Sequence, residues 1–320
     1  MDKLVYDTEG YMLRRPNPPE KLYIPSYYTN MKENAKAKEA LHYDSIAAYN
    51  TELLYKLTCD IKYKHKSKEF LLAWSDTLKK VTGSDRCSDS YLVFVFKGQK
   101  FLHAYDFLTN RQWSTISYKF LSWIYDVYLP SCSKISDRLN NLGTWGLYGC
   151  ILSYHISKDK NMVYEYLDSF VKHVGRSVMD NEFWPENFRN NSGLQYWCFN
   201  LMPIIGVISL IERHYFNSVE TEKFYKLISD VVDKFYSYLV HPECWTYKKS
   251  DNKILRYITQ LLYPSADYFI VPLKESAVIF EVLSKYFKTD RWDNITKKYL
   301  PITESKIFAY STCMLKNNIL

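Results

Sequence analysis

Two short polar segments hold the residues whose types and spacing suit chemistry. One is Arg138–Trp145, Arg-Leu-Asn-Asn-Leu-Gly-Thr-Trp. The other is Glu186–Trp197, Glu-Asn-Phe-Arg-Asn-Asn-Ser-Gly-Leu-Gln-Tyr-Trp. Each precedes a long apolar run of helical period. Between them they supply amide donors (Asn140, Asn141), a permanent cation (Arg189) and a phenol seven residues later (Tyr196). Such a set suits removal of a proton α to a carboxylate. That carbon acid is weak while its carboxylate keeps its charge, so fixed donors and a cation are needed where negative charge builds up. A guanidinium can hold a carboxylate through two parallel hydrogen bonds, and an asparagine adds a neutral amide donor. A base and an acid are also required. A free tyrosine, with a pKa of about 10, serves only where a neighbouring cation stabilises its phenolate.

Other readings compete at each position. An Asn-Asn pair before a helix can be a cap. Arg189 can be a solvated residue at a helix start, and Tyr196 is one of 30 tyrosines. Asp180, Glu182 and Glu186 offer a carboxylate pair for glycoside hydrolysis; as loop acids they would only be solvated. Tyr118, Trp123 and Trp184 are candidate sugar platforms or core residues. The seven histidines form no HxxxH pair or Cys/His set, and the seven cysteines include no CxxC. No metal or cofactor is expected. His103 lies on an expected helix and is a candidate substrate contact. His155 stands 14 residues past Asn141, about 21 Å along a helix, too far to share its site.

The elements that must carry these residues are helices. The chain has 320 residues, 47% apolar and 24% charged, with only 9 glycines, a globular composition. Ile46, Tyr49, Leu53 and Leu57 share a face, as do Phe70, Leu71, Trp74, Leu78 and Val81, and later Ile116, Phe120, Trp123 and Val127. Ser90–Phe96 reads either as a short strand or as the start of a helix through Leu108. Further helices are expected over Trp145–His155, Val163–Val174, Leu194–Ile211, Phe224–Leu239 and 273–287, with a less regular stretch at Asp251–Tyr268. Short Gly/Pro/Asn/Asp/Ser loops between them predict antiparallel hairpins. Residues 1–30, with Pro16, Pro18, Pro19 and Pro25, read as an extended arm, and 31–320 as one domain.

The net charge of +7 leans towards anionic partners. Basic residues are scattered rather than striped, so nucleic acid is not an expected partner. The apolar stretch around Leu201–Ile211 is too short to span a bilayer, and no membrane partner is expected. Met1-Asp-Lys-Leu-Val-Tyr-Asp lacks the apolar core of a signal peptide. Together with the odd cysteine count, this predicts cytoplasmic synthesis with reduced thiols. The protein would then act in the cytoplasm, or on a virion or after release by lysis, as a phage capsule depolymerase does.

Taken together, Asn140-Asn141-Leu142-Gly143-Thr144-Trp145 and Arg189 with Tyr196 resemble the alginate lyase family of polysaccharide lyases. That family carries Asn-Asn-His-x-x-Trp, then an Arg followed seven residues later by a Tyr-His pair. Tyr28 and the helix with Leu72-Ala-Trp-Ser-Asp76 fit the same order, and the likeness runs over roughly residues 20–280. The resemblance implies an all-α fold, an incomplete (α/α) toroid. It also implies β-elimination on a uronate-containing, anionic polysaccharide. Asn141 and Arg189 would neutralise the uronate carboxylate and Tyr196 would be the catalytic tyrosine. Asn140, Trp145, Trp197 and His103 are then the expected substrate contacts. The sequence departs from the family in two places: Leu142 stands where the family has its catalytic His, and Trp197 where it has the second His. Without that His, same-face elimination by one tyrosine is favoured. A glycoside hydrolase using Asp180 or Glu186, or a non-catalytic glycan-binding helical protein, are the alternatives.

Overall fold

The computed structural model describes residues 1–83, 88–108, 114–189, 192–215, 221–246 and 271–320, without the side chains of 114–117. The expected stretch Asp251–Tyr268 and the side chain of Ile116 lie outside it. Among the described residues the protein is helical, and its only strands are two pairs of two residues each. Where the sequence suggested one body over 31–320, the chain groups into two compact units. The first comprises Met1–Asp137 and Trp145–Val163; the second comprises Arg138–Thr144 and Tyr164–Leu320.

The first unit is built on α3 (Glu39–Thr58), which packs against α4 (Ile61–Thr77) and α5 (Ser90–Phe107). Ala47 and Ala48 are fully buried and let its backbone come close to its neighbours, while Tyr49, Leu53 and Leu54 fill the space on either side. The α3–α4 hairpin turns at Cys59, which takes a left-handed conformation at φ 59°. Asp60 then caps α4 by accepting from the Lys62 N–H. The ambiguous Ser90–Phe96 is helical. Its apolar residues are buried on more than one side, as in a core helix, which is why the run also reads as a strand. Phe94 and Phe101 both meet Trp123, and Phe101 also meets Trp74. Fully burying an aromatic of this size contributes roughly 1.5–3 kcal/mol. Helix α6 (Ser114–Trp123) continues through a π turn, Ile124–Tyr128, into α7 (Leu129–Ser133).

The N-terminal arm is only partly extended. Asp2–Met12 forms a helix, α1, and the extended part begins after it. Asp44, fully buried on α3, fastens this region. It accepts from Arg14 Nε at 2.8 Å, the Asn17 N–H at 2.8 Å and Trp74 Nε1 at 2.9 Å. Beyond it β1 (Lys21–Leu22) pairs in parallel with β2 (Lys80–Val81), and Ile24 exchanges hydrogen bonds with Ser90 Oγ.

The second unit takes the first turn of α8 (Asn141–Ser157), whose remainder belongs to the first unit, and most of α9 (Lys160–Ser177). A two-stranded hairpin follows, β3 (Val178–Met179) and β4 (Glu182–Phe183), turning through Asp180 and Asn181, both with positive φ. Then come α10 (Trp184–Asn187), α11 (Gly193–Leu210) and α12 (Thr221–Val240). The C-terminal part adds α13 (Leu273–Phe287), α14 (Asp293–Tyr299) and α15 (Ser311–Lys316). Helix α12 is amphipathic, burying Phe224, Ile228, Val231, Val232, Phe235 and Leu239. Helix α11 is apolar nearly all round. With a following π turn it reaches Tyr215, and the 23-residue span is long and apolar enough to cross a membrane by length and composition. The sequence had suggested a shorter run. Here 83% of its apolar window is buried inside the protein, as befits a core helix. The six described cysteines are free thiols.

Glu52 on α3 shows what an incompletely satisfied carboxylate does. It is fully buried, and neither oxygen receives a hydrogen bond. Burial pushes its carboxyl up to about 8, against the weaker pull of Lys64 and Lys56, while the nearby Ser67 hydroxyl donates to the Ala48 carbonyl instead. A raised carboxyl pKa means that the folded state holds a proton the unfolded chain has released. Stability contributed by the neutral form is therefore full below the unfolded value near 4.5 and is lost as pH rises towards 8. The loss approaches roughly 1.4 kcal/mol per pH unit within that window. Glu52→Gln removes this dependence. Urea unfolding at pH 5 and pH 8 should show the variant gaining on the parent protein as pH rises.

Candidate active site

The site is assembled within the second unit at the start of α8. Asn140 is its N-cap in the usual sense: its Oδ1 accepts from the Leu142 N–H at 3.0 Å. Its side chain is half-buried and spent on the helix. Asn141 is fully buried, and its backbone N–H and its Nδ2 both donate to Glu186 Oε1, at 2.7 and 2.9 Å. Its Oδ1 has no hydrogen-bond partner. Glu186, on α10, is itself fully buried, and burial raises its carboxyl while Arg189 and Asn141 pull it back. Its second oxygen lies 3.9 Å from Arg189 Nε. Arg189 in turn stands over the ring of Tyr196, its Cζ 4.6 Å from the centroid. Asn141, Glu186, Arg189 and Tyr196 thus form one continuous cluster, with Arg189 and Tyr196 both half-buried.

Leu142 is half-buried and brings no titratable group. On the far side of the turn lies His173 of α9, whose Nε2 is 3.0 Å from Thr144 Oγ1. Burial and Arg176 push its imidazole down to about 4, so it is neutral at ordinary pH. Nothing in the sequence singled it out, because a lone histidine 29 residues from Thr144 has no local signature.

The remaining expected contacts fare differently. Trp145 and Trp197 are corrected: both rings are fully buried and offer no face to a polysaccharide. Trp197 donates from Nε1 to Asn187 Oδ1 at 2.9 Å, and Asn187 Nδ2 donates to Glu182 Oε2 at 2.9 Å. Tyr238 closes that chain with a hydrogen bond to Glu182. Trp145, in the first unit, packs on Phe96 and Tyr148. His103, in the same unit, is corrected as well. At 3% exposure, with Nε2 at 2.8 Å from Tyr148 OH and its ring on Phe107, it is a core residue. Trp123 is core, whereas Tyr118 is 77% exposed. Trp184 ties its indole N–H to the Arg176 carbonyl and meets Phe188 edge to face. Phe188, adjacent to Arg189 and 74% exposed, is an aromatic face that sequence reasoning passed over. No group of three or more His, Cys, Asp or Glu among the described residues could hold a metal.

Gly143 makes the turn possible. A methyl group there would sit 1.9 Å from the Arg138 carbonyl oxygen and 2.7 Å from His173 Cε1. Gly143→Ala should therefore lower stability by roughly 1–3 kcal/mol through forced displacement of backbone. Gly175→Ala, whose added methyl meets nothing within 4 Å on α9, should raise it by about 0.5–1 kcal/mol. Urea unfolding of both variants tests the contrast.

No family model and no curated protein matches the chain. Among solved structures, an alginate lyase from Bacteroides ovatus is similar, with a TM-score of 0.66 at 13% sequence identity, covering 93% of this chain and 88% of that one. The likeness shows the fold: this chain has the all-α fold of that structure, as the sequence resemblance implied.

Proposed function

We propose that the protein is a polysaccharide lyase that cleaves a uronate-containing polysaccharide by β-elimination. The observation that carries this reading is the cluster of Asn141, Glu186, Arg189 and Tyr196 on a fold shared with an alginate lyase. In the proposed reaction Arg189 binds the uronate carboxylate, where the enolate-like charge develops. Asn141, expected at that carboxylate, is instead buried with its donors on Glu186, which it positions beside Arg189. The Tyr196 phenolate takes the α-proton. The glycosidic C–O bond breaks as the C=C bond forms, and the Tyr196 hydroxyl returns its proton to the leaving oxygen. The guanidinium over the Tyr196 ring, its Cζ 4.6 Å from the centroid, supports this role by bringing a positive charge close to the phenol. Leu142 supplies no second base, which favours this same-face route. Phe188, exposed beside Arg189, is a candidate platform for a sugar ring.

Hydrolysis has less support. Glu186 is fully buried and engaged by Asn141, and Asp180 sits on the exposed turn of the β3–β4 hairpin. A lyase product is a 4,5-unsaturated uronate that absorbs in the near ultraviolet, whereas a hydrolase product lacks this absorbance. The test is initial rates of double-bond formation over a panel of uronate polysaccharides. Tyr196→Phe should abolish turnover with the fold intact. Arg189→Ala should lower kcat by ~10²–10³, because its contacts tighten in the transition state. His103→Ala should leave the reaction without a specific loss. Substantial activity in Tyr196→Phe would end the single-tyrosine mechanism. Reducing ends without absorbance would favour hydrolysis, and binding without either product a glycan-binding role.

A further inference from the structure

A second concentration of polar groups lies in the first unit, and the proposed elimination makes no use of it. The joint between α2 (Met31–Ala37) and α3, with α5 beside it, forms an open pocket of about 440 Å³. Its polar lining is Lys36, Lys38, Glu39, His42, Tyr43 and Lys97. That volume falls within the usual range for small-ligand sites. The lining is unusual in its chemistry, because almost every group in it donates.

Lys97 Nζ lies 2.9 Å from His42 Nδ1. An ammonium can only donate, so Nδ1 is the acceptor and the imidazole proton resides on Nε2. His42 is therefore a neutral N–H donor. Burial and the positive charges of Lys97, Lys100 and Lys38 push it down to about 4, which keeps it in that form. Lys100 lies behind the lining rather than in it, and burial lowers its own ammonium to about 7. Lys38 gives one hydrogen to Asn34 Oδ1 at 2.7 Å, with its ammonium over the Tyr27 ring and the Asp89 carboxylate acting on its charge. Lys100 is 6% exposed, with its ammonium over the Tyr49 ring. Tyr43 is 39% exposed and adds a hydroxyl. The Arg14 guanidinium against its ring is already committed to Asp44. Glu39 is the only acid among the lining residues. Like charges gathered in a concave, partly desolvated place repel one another, and an anion bound there turns repulsion into attraction.

We propose that this pocket binds an oxyanion, the carboxylate, sulfate or phosphate group of a small ligand, held by Lys36, Lys38 and Lys97 with the His42 Nε2–H as neutral donor. The proposal rests on residues of the first unit alone, and the Lys97 and Lys36 variants separate its binding from any uronate held at Arg189.

The test is calorimetric titration of the full chain with sodium sulfate, inorganic phosphate and glucuronate, with glucose as neutral control, at constant ionic strength in chloride. Saturable binding of at least one of the three anions is expected, with none of glucose. The bound anion should raise Tm by mass action and shift the His42 imidazole resonance. Lys97→Gln and Lys36→Gln should each weaken binding by about tenfold or more, the worth of one charge-assisted hydrogen bond. Lys36 is exposed, so its replacement leaves the fold untouched and keeps the result readable if Lys97→Gln is destabilised. Tighter binding of glucuronate than of either inorganic ion assigns the site to a sugar acid, and equal or weaker binding to a free oxyanion. Absence of saturable binding by all three anions, or affinity unchanged in both variants, overturns the proposal.

Discussion

Glu186 puts a carboxylate where water does not reach it, and a charge so placed persists only when donors are held against it. Asn141 supplies two of them from one residue, its backbone N–H and its side-chain amide. Arg189 sits at 3.9 Å from the other oxygen. The first turn of α8 and the α10 segment are therefore bound together through a single side chain, 45 residues apart in sequence. Tyr196 joins through its stacking on Arg189. Moving any one of the four changes the surroundings of the other three, which is what a preorganised site requires.

The close approach that this geometry demands explains the small residue beside it. Gly143 faces the Arg138 carbonyl and His173 at distances no side chain would tolerate. His173 and Asn140 then satisfy the turn from the other side, one through Thr144 and one as a cap. A neutral imidazole suits this place, since its surroundings offer burial and a cation rather than an acid.

Much of the fold was legible because helical periodicity is local. The faces of α3 and α12 could be read from spacing alone, and that of α4 as far as Trp74, whereas Leu78 and Val81, read into the same face, lie past its end at Thr77, with Val81 in β2. The two polar motifs marked the segments that carry the candidate site. What escaped depends on distance or on enclosure. Trp145 and Trp197 sit in polar motifs and so looked like sugar contacts, but their neighbours in space are core aromatics, and Trp197 satisfies its indole on Asn187. His103 shows the same error: its partner Tyr148 lies 45 residues away. Glu186 was visible as an acid, but its role as the partner of Asn141 was not, because no spacing rule links the two. Helix α1 was missed since it lacks a side-chain cap and runs into a proline-rich stretch.

The arm that follows α1 has a consequence for the order in which the chain can be built. Arg14 and Asn17 reach Asp44, Lys21 and Leu22 pair with Lys80 and Val81, and Ile24 binds Ser90. Every one of these partners is made after the residue it receives. As the chain leaves the ribosome, the segment from 14 to 24 emerges before all of its partners and cannot finish docking until residue 90 has followed. These are contacts of long sequence separation, and closing such loops carries an entropic cost. The segment is thus translated before all of its partners and is among the last parts of its unit to find its place. Until it does, the Asp44 carboxylate must remain in water or go without its two partners from the arm.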